Sequence, residues 1–225
     1  MMWHAFESNA AYLAALSAKI IGVLHTALDN RGEACLAVSG GHSPIALFEA
    51  LSQEDIAWAG VHVRLVDERF VPPASADSNE HLVRAHLLQG RARAAEFTGL
   101  VSDSANIERS VQQANLDARR PDLAILGMGD DGHTASLFPR ARQLAEGLDR
   151  HRSSRYLHVT PPTAPHERIS MTLPALLGAR QLILTISGAQ KRTIFETARR
   201  AANPDYPVSY VLNQDITPID VYWHP

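Results

Sequence analysis

The sequence contains a single cysteine, Cys35, among its 225 residues, so no disulfide can form within the chain. A chain of this length can bury a substantial hydrophobic core without such cross-links. Basic residues are also few, because 21 Lys and Arg stand against 24 Asp and Glu, for a formal charge of −3. No run of basic residues is present, and we expect no nucleic-acid partner.

The N-terminal region lacks the pattern of a signal peptide or a membrane span. Glu7 precedes the first apolar segment and Lys19 lies within it. We therefore expect a cytoplasmic protein without a membrane partner. Low-complexity tracts, repeats and long linkers are absent too, which favours one domain over residues 1–225, with residues 142–155 as an exposed excursion. The oligomeric state stays open, and a monomer is compatible with the sequence.

Apolar periodicity predicts helices and strands that alternate along the chain. Helices are expected at residues 8–28, 44–51, 79–88, 107–118, 173–177 and 190–201. Strands are expected at residues 34–38, 61–66, 122–126, 157–160, 182–186, 208–212 and 219–222. This alternation predicts an α/β fold, a three-layer α/β/α sandwich with a mostly parallel, Rossmann-like sheet. Ligands of such folds bind outside the carboxyl ends of the strands.

The most informative segment is LGMGDDGHTASLFP, residues 126–139, which directly follows an apolar strand. Its closely spaced glycines permit a tight turn that can hold Asp131 and His133 at the strand's end. A histidine has an unperturbed pKa near 6.5 and can take a proton from water at neutral pH. We interpret His133 as a catalytic base oriented by Asp131, although a surface histidine beside a helix cap is the common alternative.

The same segment satisfies G-x-G-x-x-G, but a dinucleotide site is not expected here. Asp130 and Asp131 would face a pyrophosphate, Pro139 would cut short the following helix, and no strand ending in an acid follows at the required distance. A metal site is not expected either. His81 and His86 do not share a helical face well, and the chain lacks His-Glu-x-x-His.

Two further segments combine a strand end with polar residues. Residues 38–44, VSGGHSP, resemble a strand followed by a helix start, where free backbone N–H groups favour an anion. A tight turn with Ser43 as the helix N-cap explains them equally well. In residues 65–71, Arg69 could bind an oxyanion and Asp67 a hydroxyl, whereas an ion pair at an exposed strand end is the simpler interpretation.

Two cations follow later in the chain. Arg168 and Lys191 could add positive charge beside the first loop and complete a phosphate site. Isolated Lys and Arg residues are more often solvated surface charges, so this alternative stays open as well.

Taken together, these segments resemble the 6-phosphogluconolactonase family, within the wider glucosamine-6-phosphate isomerase-like group. The matching segments occur in family order and span most of the chain: residues 39–44, 67–69 with 78–79, 126–139, 168–172 and 188–191. Residues 126–139 are highly specific, whereas the other segments would be weak alone.

The resemblance implies hydrolysis of 6-phospho-D-glucono-1,5-lactone to 6-phosphogluconate in the oxidative pentose phosphate pathway, without a metal or organic cofactor. It also implies a three-layer α/β/α fold. The implied sites are a catalytic group around the lactone, namely Asp131, His133 and Arg69, and a substrate-binding group of Ser39, Gly40, Gly41, Ser43, Asp67, Arg168 and Lys191. Ser43 stands where threonine is usual in the family, which preserves the hydroxyl.

Two other functions compete with lactone hydrolysis. A sugar-phosphate isomerase or deaminase would use a similar phosphate cradle and Asp-Gly-His turn, but it usually continues with asparagine, glutamate and proline. This chain continues with Ala135-Ser-Leu-Phe-Pro139 and lacks that carboxylate. A non-catalytic sugar-phosphate sensor would need an attached DNA-binding module, for which the continuous α/β pattern leaves no room.

Overall fold

The computed structural model describes residues 1–225 and contains ten strands and eight helices. The strands are β1 (Met2–Ala5), β2 (Ala34–Val38), β3 (Val61–Leu65), β4 (Asp67–Arg69), β5 (Glu96–Thr98), β6 (Leu123–Gly127), β7 (Tyr156–Val159), β8 (Arg168–Met171), β9 (Leu182–Ser187) and β10 (Ile219–His224). The helices are α1 (Asn9–Arg31), α2 (Ile45–Ser52), α3 (Asn79–His86), α4 (Ile107–Leu116), α5 (Leu144–Leu148), α6 (Leu173–Leu177), α7 (Gly188–Ala198) and α8 (Val208–Leu212).

Seven strands form one sheet in the order β1-β10-β9-β6-β2-β3-β5, and every neighbouring pair is parallel. The central strands β2 and β6 are nearly continuous apolar segments, which suits a sheet covered by helices on both faces. The predicted α/β fold with a mostly parallel sheet is confirmed. The carboxyl ends of β2, β6 and β9 lie side by side and define one edge.

The long helix α1 packs against this sheet. It begins after Ser8, whose hydroxyl accepts the N–H of Ala11 at 3.2 Å. Leu16, Ile20 and Leu24 have no exposed surface and belong to the hydrophobic core. By length and composition, α1 is the one helix long and apolar enough to cross a membrane, a property that core helices of soluble proteins share.

A second, antiparallel sheet of three strands, β4-β8-β7, lies beside the large one and was not predicted. Its register pairs Asp67 with Ser170 and Arg69 with Arg168. Directly paired residues of antiparallel strands point to the same face. The short strand that carries Asp67 and Arg69 is therefore held by a segment about a hundred residues further along the chain.

The prediction of a strand at residues 208–212 is wrong, because this segment is the helix α8. Pro207 occupies the N-cap with φ −55°, a value that favours entry into a helix. Val208, Val211 and Leu212 are buried at helical spacing, which outweighs the β-propensity of the two β-branched valines. The excursion predicted at residues 142–155 contains the short helix α5.

Candidate active site

A cavity of about 300 Å³ opens at the carboxyl ends of β2, β6 and β9. It lies where ligands bind in parallel α/β sheets. The loop after β2, the strand β4, the start of α3, the turn after β6 and the first turn of α7 all contribute to its lining. The sequence-predicted residues in this lining are Ser39, Gly40, Gly41, Ser43, Asp67, Arg69, His133 and Lys191.

The turn after β6 is closed by backbone hydrogen bonds. The N–H of Gly129 donates to the carbonyl of His133 at 2.9 Å, and the N–H of Gly132 donates to the carbonyl of Gly129 at 3.0 Å. A Cβ on Gly129 would lie 2.2 Å from the imidazole of His133, and Gly132 has a φ of +78°. The glycines therefore let the imidazole fold back over its own turn.

Asp131 and His133 form a direct pair. The carboxylate Oδ1 of Asp131 lies 2.5 Å from Nδ1 of His133 and also accepts the backbone N–H of His133 at 3.1 Å. Partial burial raises the pKa of Asp131, but the hydrogen bonds and charge of His133 outweigh burial and lower it overall. The carboxylate is therefore charged at neutral pH and favours a proton on Nδ1 of the imidazole.

The opposite edge of the imidazole is free to react. Nε2 of His133 makes no hydrogen bond within the protein, and the ring lines the cavity. Phe138 packs against the imidazole with ring centroids 4.3 Å apart. With a proton on Nδ1, Nε2 carries the lone pair and can accept a proton from a water molecule in the cavity.

Asp67 connects the segment after β6 to the small sheet. Its Oδ2 accepts the hydroxyl of Ser136 at 2.6 Å, and its backbone carbonyl accepts Nδ2 of Asn79 at 2.8 Å. Asp67 is 8% exposed and Asn79 is 2% exposed, yet both line the cavity. Asp67 is thus a hydrogen-bonded wall residue, and the interpretation of an exposed strand end is wrong.

Glu68 lies behind this wall and fixes the start of α3. Its carboxylate accepts the backbone N–H groups of Arg69, Asn79 and Glu80, each at 2.7 Å, and the hydroxyl of Ser78 at 3.0 Å. Burial raises the pKa of Glu68 to about 6, although these donors favour the charged form. Glu68 therefore has a structural position, outside the cavity lining.

The loop after β2 presents unused donors. The backbone N–H groups of residues 40–43 make no hydrogen bond within the protein. Ser39 donates its hydroxyl to the carbonyl of Ile125 at 3.1 Å, which holds this loop against β6. Ser43 is exposed and does not cap α2, because Pro44 occupies the N-cap position. The alternative interpretation, in which Ser43 is the N-cap, is wrong. Free amides at the loop are what an anion requires.

The predicted cations occupy different positions. Arg69 and Lys191 line the cavity, and Lys191 lies in the first turn of α7. Arg168 does not line it: the residue is 6% exposed, and its guanidinium carbon lies 5.9 Å from the ring centre of Phe138. Burial lowers the pKa of Arg168, and the like charge of Arg69 lowers it further. The two arginines are therefore close neighbours, and of the two only Arg69 reaches the cavity lining.

Sequence reasoning did not assign several lining residues, most of which lie outside the matching motifs: Asn9, Tyr12, Asn79, Thr185 and His224. Thr185 and His224 lie near the carboxyl ends of β9 and β10, a position that the rule for parallel sheets could have indicated. Asn79 was part of a matching motif but had not been assigned to the site.

Comparison with known proteins gives a consistent result. The family model described as glucosamine-6-phosphate isomerases/6-phosphogluconolactonase matches residues 7–223. A protein named 6-phosphogluconolactonase from Neisseria meningitidis is 43% identical over 217 residues, which cover 94% of each chain. One of the same name from Pseudomonas aeruginosa is 39% identical, over 97% of this chain and 92% of its own.

Solved structures agree with these relatives. The crystal structure of a 6-phosphogluconolactonase from Shewanella baltica superimposes with a TM-score of 0.94 at 38% identity. The alignment covers 100% of this chain and 98% of that one. A monomeric glucosamine-6-phosphate deaminase superimposes with a TM-score of 0.77 at 16% identity, a likeness of fold alone.

Proposed function

The chain belongs to the glucosamine-6-phosphate isomerase/6-phosphogluconolactonase family, and from this premise we propose that His133 is its general base. The chain is a hydrolase that converts 6-phospho-D-glucono-1,5-lactone to 6-phospho-D-gluconate in the pentose phosphate pathway. The observation that carries the role of His133 is its geometry: Nδ1 is bound to Asp131, and Nε2 is unbonded in the cavity.

The reaction begins with a water molecule between His133 and the lactone carbonyl carbon. Nε2 of His133 takes a proton from this water while the oxygen attacks the carbonyl, and the carbonyl oxygen becomes an oxyanion. Arg69, a cation in the cavity wall, stabilises that charge. The imidazolium then returns its proton to the ring oxygen as the bond between the carbonyl carbon and the ring oxygen breaks.

The phosphate occupies the other part of the cavity in this proposal. The unbonded N–H groups of residues 40–43 and the ammonium of Lys191 supply donors and positive charge. The exposed hydroxyl of Ser43 adds a further donor. A phosphate contact of Arg168 stays a prediction, because this side chain lies beside Arg69 and Phe138 and is outside the cavity lining. We propose that the reaction needs no metal or organic cofactor and takes place in the cytoplasm.

The central test is the variant His133→Asn. Without a base, kcat should fall by about 10²–10⁴-fold, the usual contribution of general base catalysis. The rate is measured on freshly generated lactone and corrected for spontaneous hydrolysis. The fold should be unaffected, because the imidazole is partly exposed and lies at the cavity surface.

A matched control and a second substrate make this test decisive. His86→Asn removes another partly exposed histidine, which is bound to Glu49 at 3.0 Å outside the cavity lining, and should retain full activity. Near wild-type turnover of His133→Asn would contradict the assignment. Glucosamine 6-phosphate serves as the parallel substrate, and activity on it alone would favour an isomerase or deaminase instead.

A further inference from the structure

The loop before β8 contacts both arginines near the cavity. The backbone carbonyl of Pro165 accepts Nη2 of Arg168 at 3.0 Å. The next residue, His166, lies with its Nε2 3.0 Å from Oδ2 of Asp77. The backbone carbonyl of Asp77 in turn accepts Nη1 of Arg69 at 2.7 Å. Two adjacent loop residues are therefore linked to both guanidinium groups.

Neither arginine is paired with a carboxylate. Arg69 and Arg168 form no salt bridge, and Nε of Arg168 is buried without any partner. Their hydrogen-bond partners are neutral backbone carbonyls, which orient a guanidinium without forming an ion pair with it. The carboxylates of Asp67, Glu68 and Asp77 act on the charge of Arg168 only from a distance. Two guanidinium groups on neighbouring strands, neither of them in an ion pair, are suited to an anionic ligand.

Asp77 is the exposed acid in a position to pair with Arg69, because the carboxylates of Asp67 and Glu68 are buried and already hydrogen-bonded. Its own carbonyl already touches Arg69, so its carboxylate needs only a side-chain rotation to approach the same guanidinium. In the structure that carboxylate points instead to His166. It is 64% exposed, so little besides this contact restrains it.

The backbone of His166 shows that its orientation is imposed. It has a φ of +68°, a left-handed conformation that is uncommon for residues other than glycine and is held by surrounding contacts. The contacts present are the carboxylate of Asp77 at the side chain, and the guanidinium of Arg168 on the preceding carbonyl. In this conformation Nε2 of the imidazole lies 3.0 Å from the carboxylate of Asp77.

We infer that His166 is a positioning residue for Arg69: by holding the carboxylate of Asp77, it prevents that carboxylate from neutralising the guanidinium. Arg69 therefore keeps its charge for the substrate. The inference rests on the proposed role of Arg69 in stabilising the oxyanion. His166 itself does not line the cavity and acts through Asp77.

The variant His166→Asn tests this link. Asparagine tolerates the left-handed backbone but cannot reproduce the imidazole contact. The freed carboxylate should pair with Arg69, and kcat/KM should fall by about twofold to fivefold, the strength of an exposed ion pair. The matched control is again His86→Asn, whose histidine is 31% exposed against 33% for His166.

A second substitution separates this electrostatic effect from a loss of structure. In the double variant His166→Asn/Asp77→Asn, no carboxylate remains to neutralise Arg69, and kcat/KM should return toward the wild-type value. The defect of the single variant should also shrink at high salt, because salt screens exposed ion pairs. A single variant with wild-type kcat/KM, or a double variant no better than the single one, would overturn the inference.

Arg69→Ala shows which proposal fails. If this variant retains wild-type kcat/KM, the proposed role of Arg69 is wrong, and the inference about His166 is wrong with it. If Arg69→Ala is defective while His166→Asn is normal, the inference about His166 alone is wrong and the proposed function stands.

Discussion

The contact between Asp131 and His133 occupies Nδ1 of the imidazole and leaves Nε2 unbonded at the cavity. In the variant Asp131→Asn, the amide can present its N–H₂ group to Nδ1 and favour the wrong tautomer. We expect a lower kcat, by less than the loss of about 10⁴-fold seen for a buried triad, because Asp131 is 48% exposed. The measurement is kcat at neutral pH, and an unchanged value would show that Asp131 does not orient His133.

The same residue predicts a direction for stability against pH. The pKa of Asp131 is lowered below 3.8 in the folded protein, so its carboxylate contributes stability above the unfolded pKa. That contribution is lost as the pH falls through the lowered pKa. The melting-temperature difference between wild type and Asp131→Asn should therefore shrink as the pH falls into the acid range.

At this scale the sequence predicts local pairs better than distant ones. Asp131 and His133 are two residues apart around one glycine, so their proximity follows from the turn itself. The position of Arg168 depends on the register of β8 with β4, and the burial of Asn79 depends on Glu68 at the start of α3. Neither the position of Arg168 nor the burial of Asn79 can be read from the residues next to it in the sequence.

The helix α8 and the residues before it pack against the turn that carries Asp131 and His133. The N–H of Val208 donates to the carbonyl of Gly132 at 3.0 Å, and the ring of Tyr206 lies against the same glycine. A Cβ on Gly132 would lie 2.6 Å from Cδ1 of Tyr206 and 3.1 Å from its Cα. The turn and the segment before α8 are therefore in direct contact, so a change at Gly132 affects both.

The variant Gly132→Ala should lower both stability and kcat. The left-handed backbone alone costs an alanine about 1–2 kcal/mol, and the contact with Tyr206 adds to that cost. Urea unfolding and turnover measure the two effects. Gly22→Ala is the control: its Cβ has open space on α1, and alanine should stabilise a helix by about 0.5–1 kcal/mol. Wild-type stability and turnover of Gly132→Ala would contradict this role of the turn.

The long elements of the chain were predictable and several short ones were not. Helix α1 and strands β2, β6 and β9 have clear periodicity or continuous apolar character. Strands β4 and β5 have three residues each, too few for a period to be visible. The segment of α8 was predicted as a strand because its valines have high β-propensity, and only the preceding proline and its burial against other elements reveal the helix.

Over the whole molecule, the two sheets meet at the cavity. The large parallel sheet supplies the loops with His133 and Lys191, and the small sheet supplies Asp67 and Arg69. The hydrogen bond between Ser136 and Asp67 joins the two parts. Alternating helices and strands predicted the parallel sheet, but the strand order and the second sheet result from long-range pairing that periodicity does not encode.

The buried Cys35 gives a probe of how cooperatively this assembly unfolds. It lies in β2, and its backbone pairs with Asp122 before β6 at 2.8 and 2.9 Å. Burial is the main cause that raises the pKa of its thiol to about 11. A thiol that is both protonated and enclosed is a poor nucleophile, so the native protein should resist thiol reagents.

Because Cys35 is the single cysteine, its labelling reports on one position without ambiguity. Opening β2 disrupts the centre of the large sheet and the loop that we propose binds the phosphate. We therefore expect labelling, loss of turnover and loss of circular dichroism to share one urea midpoint. Cys35→Ala provides the unlabelled control. Labelling in native buffer at the rate of a free thiol would show that β2 opens locally, and the cavity would then lack the rigid edge that the mechanism requires.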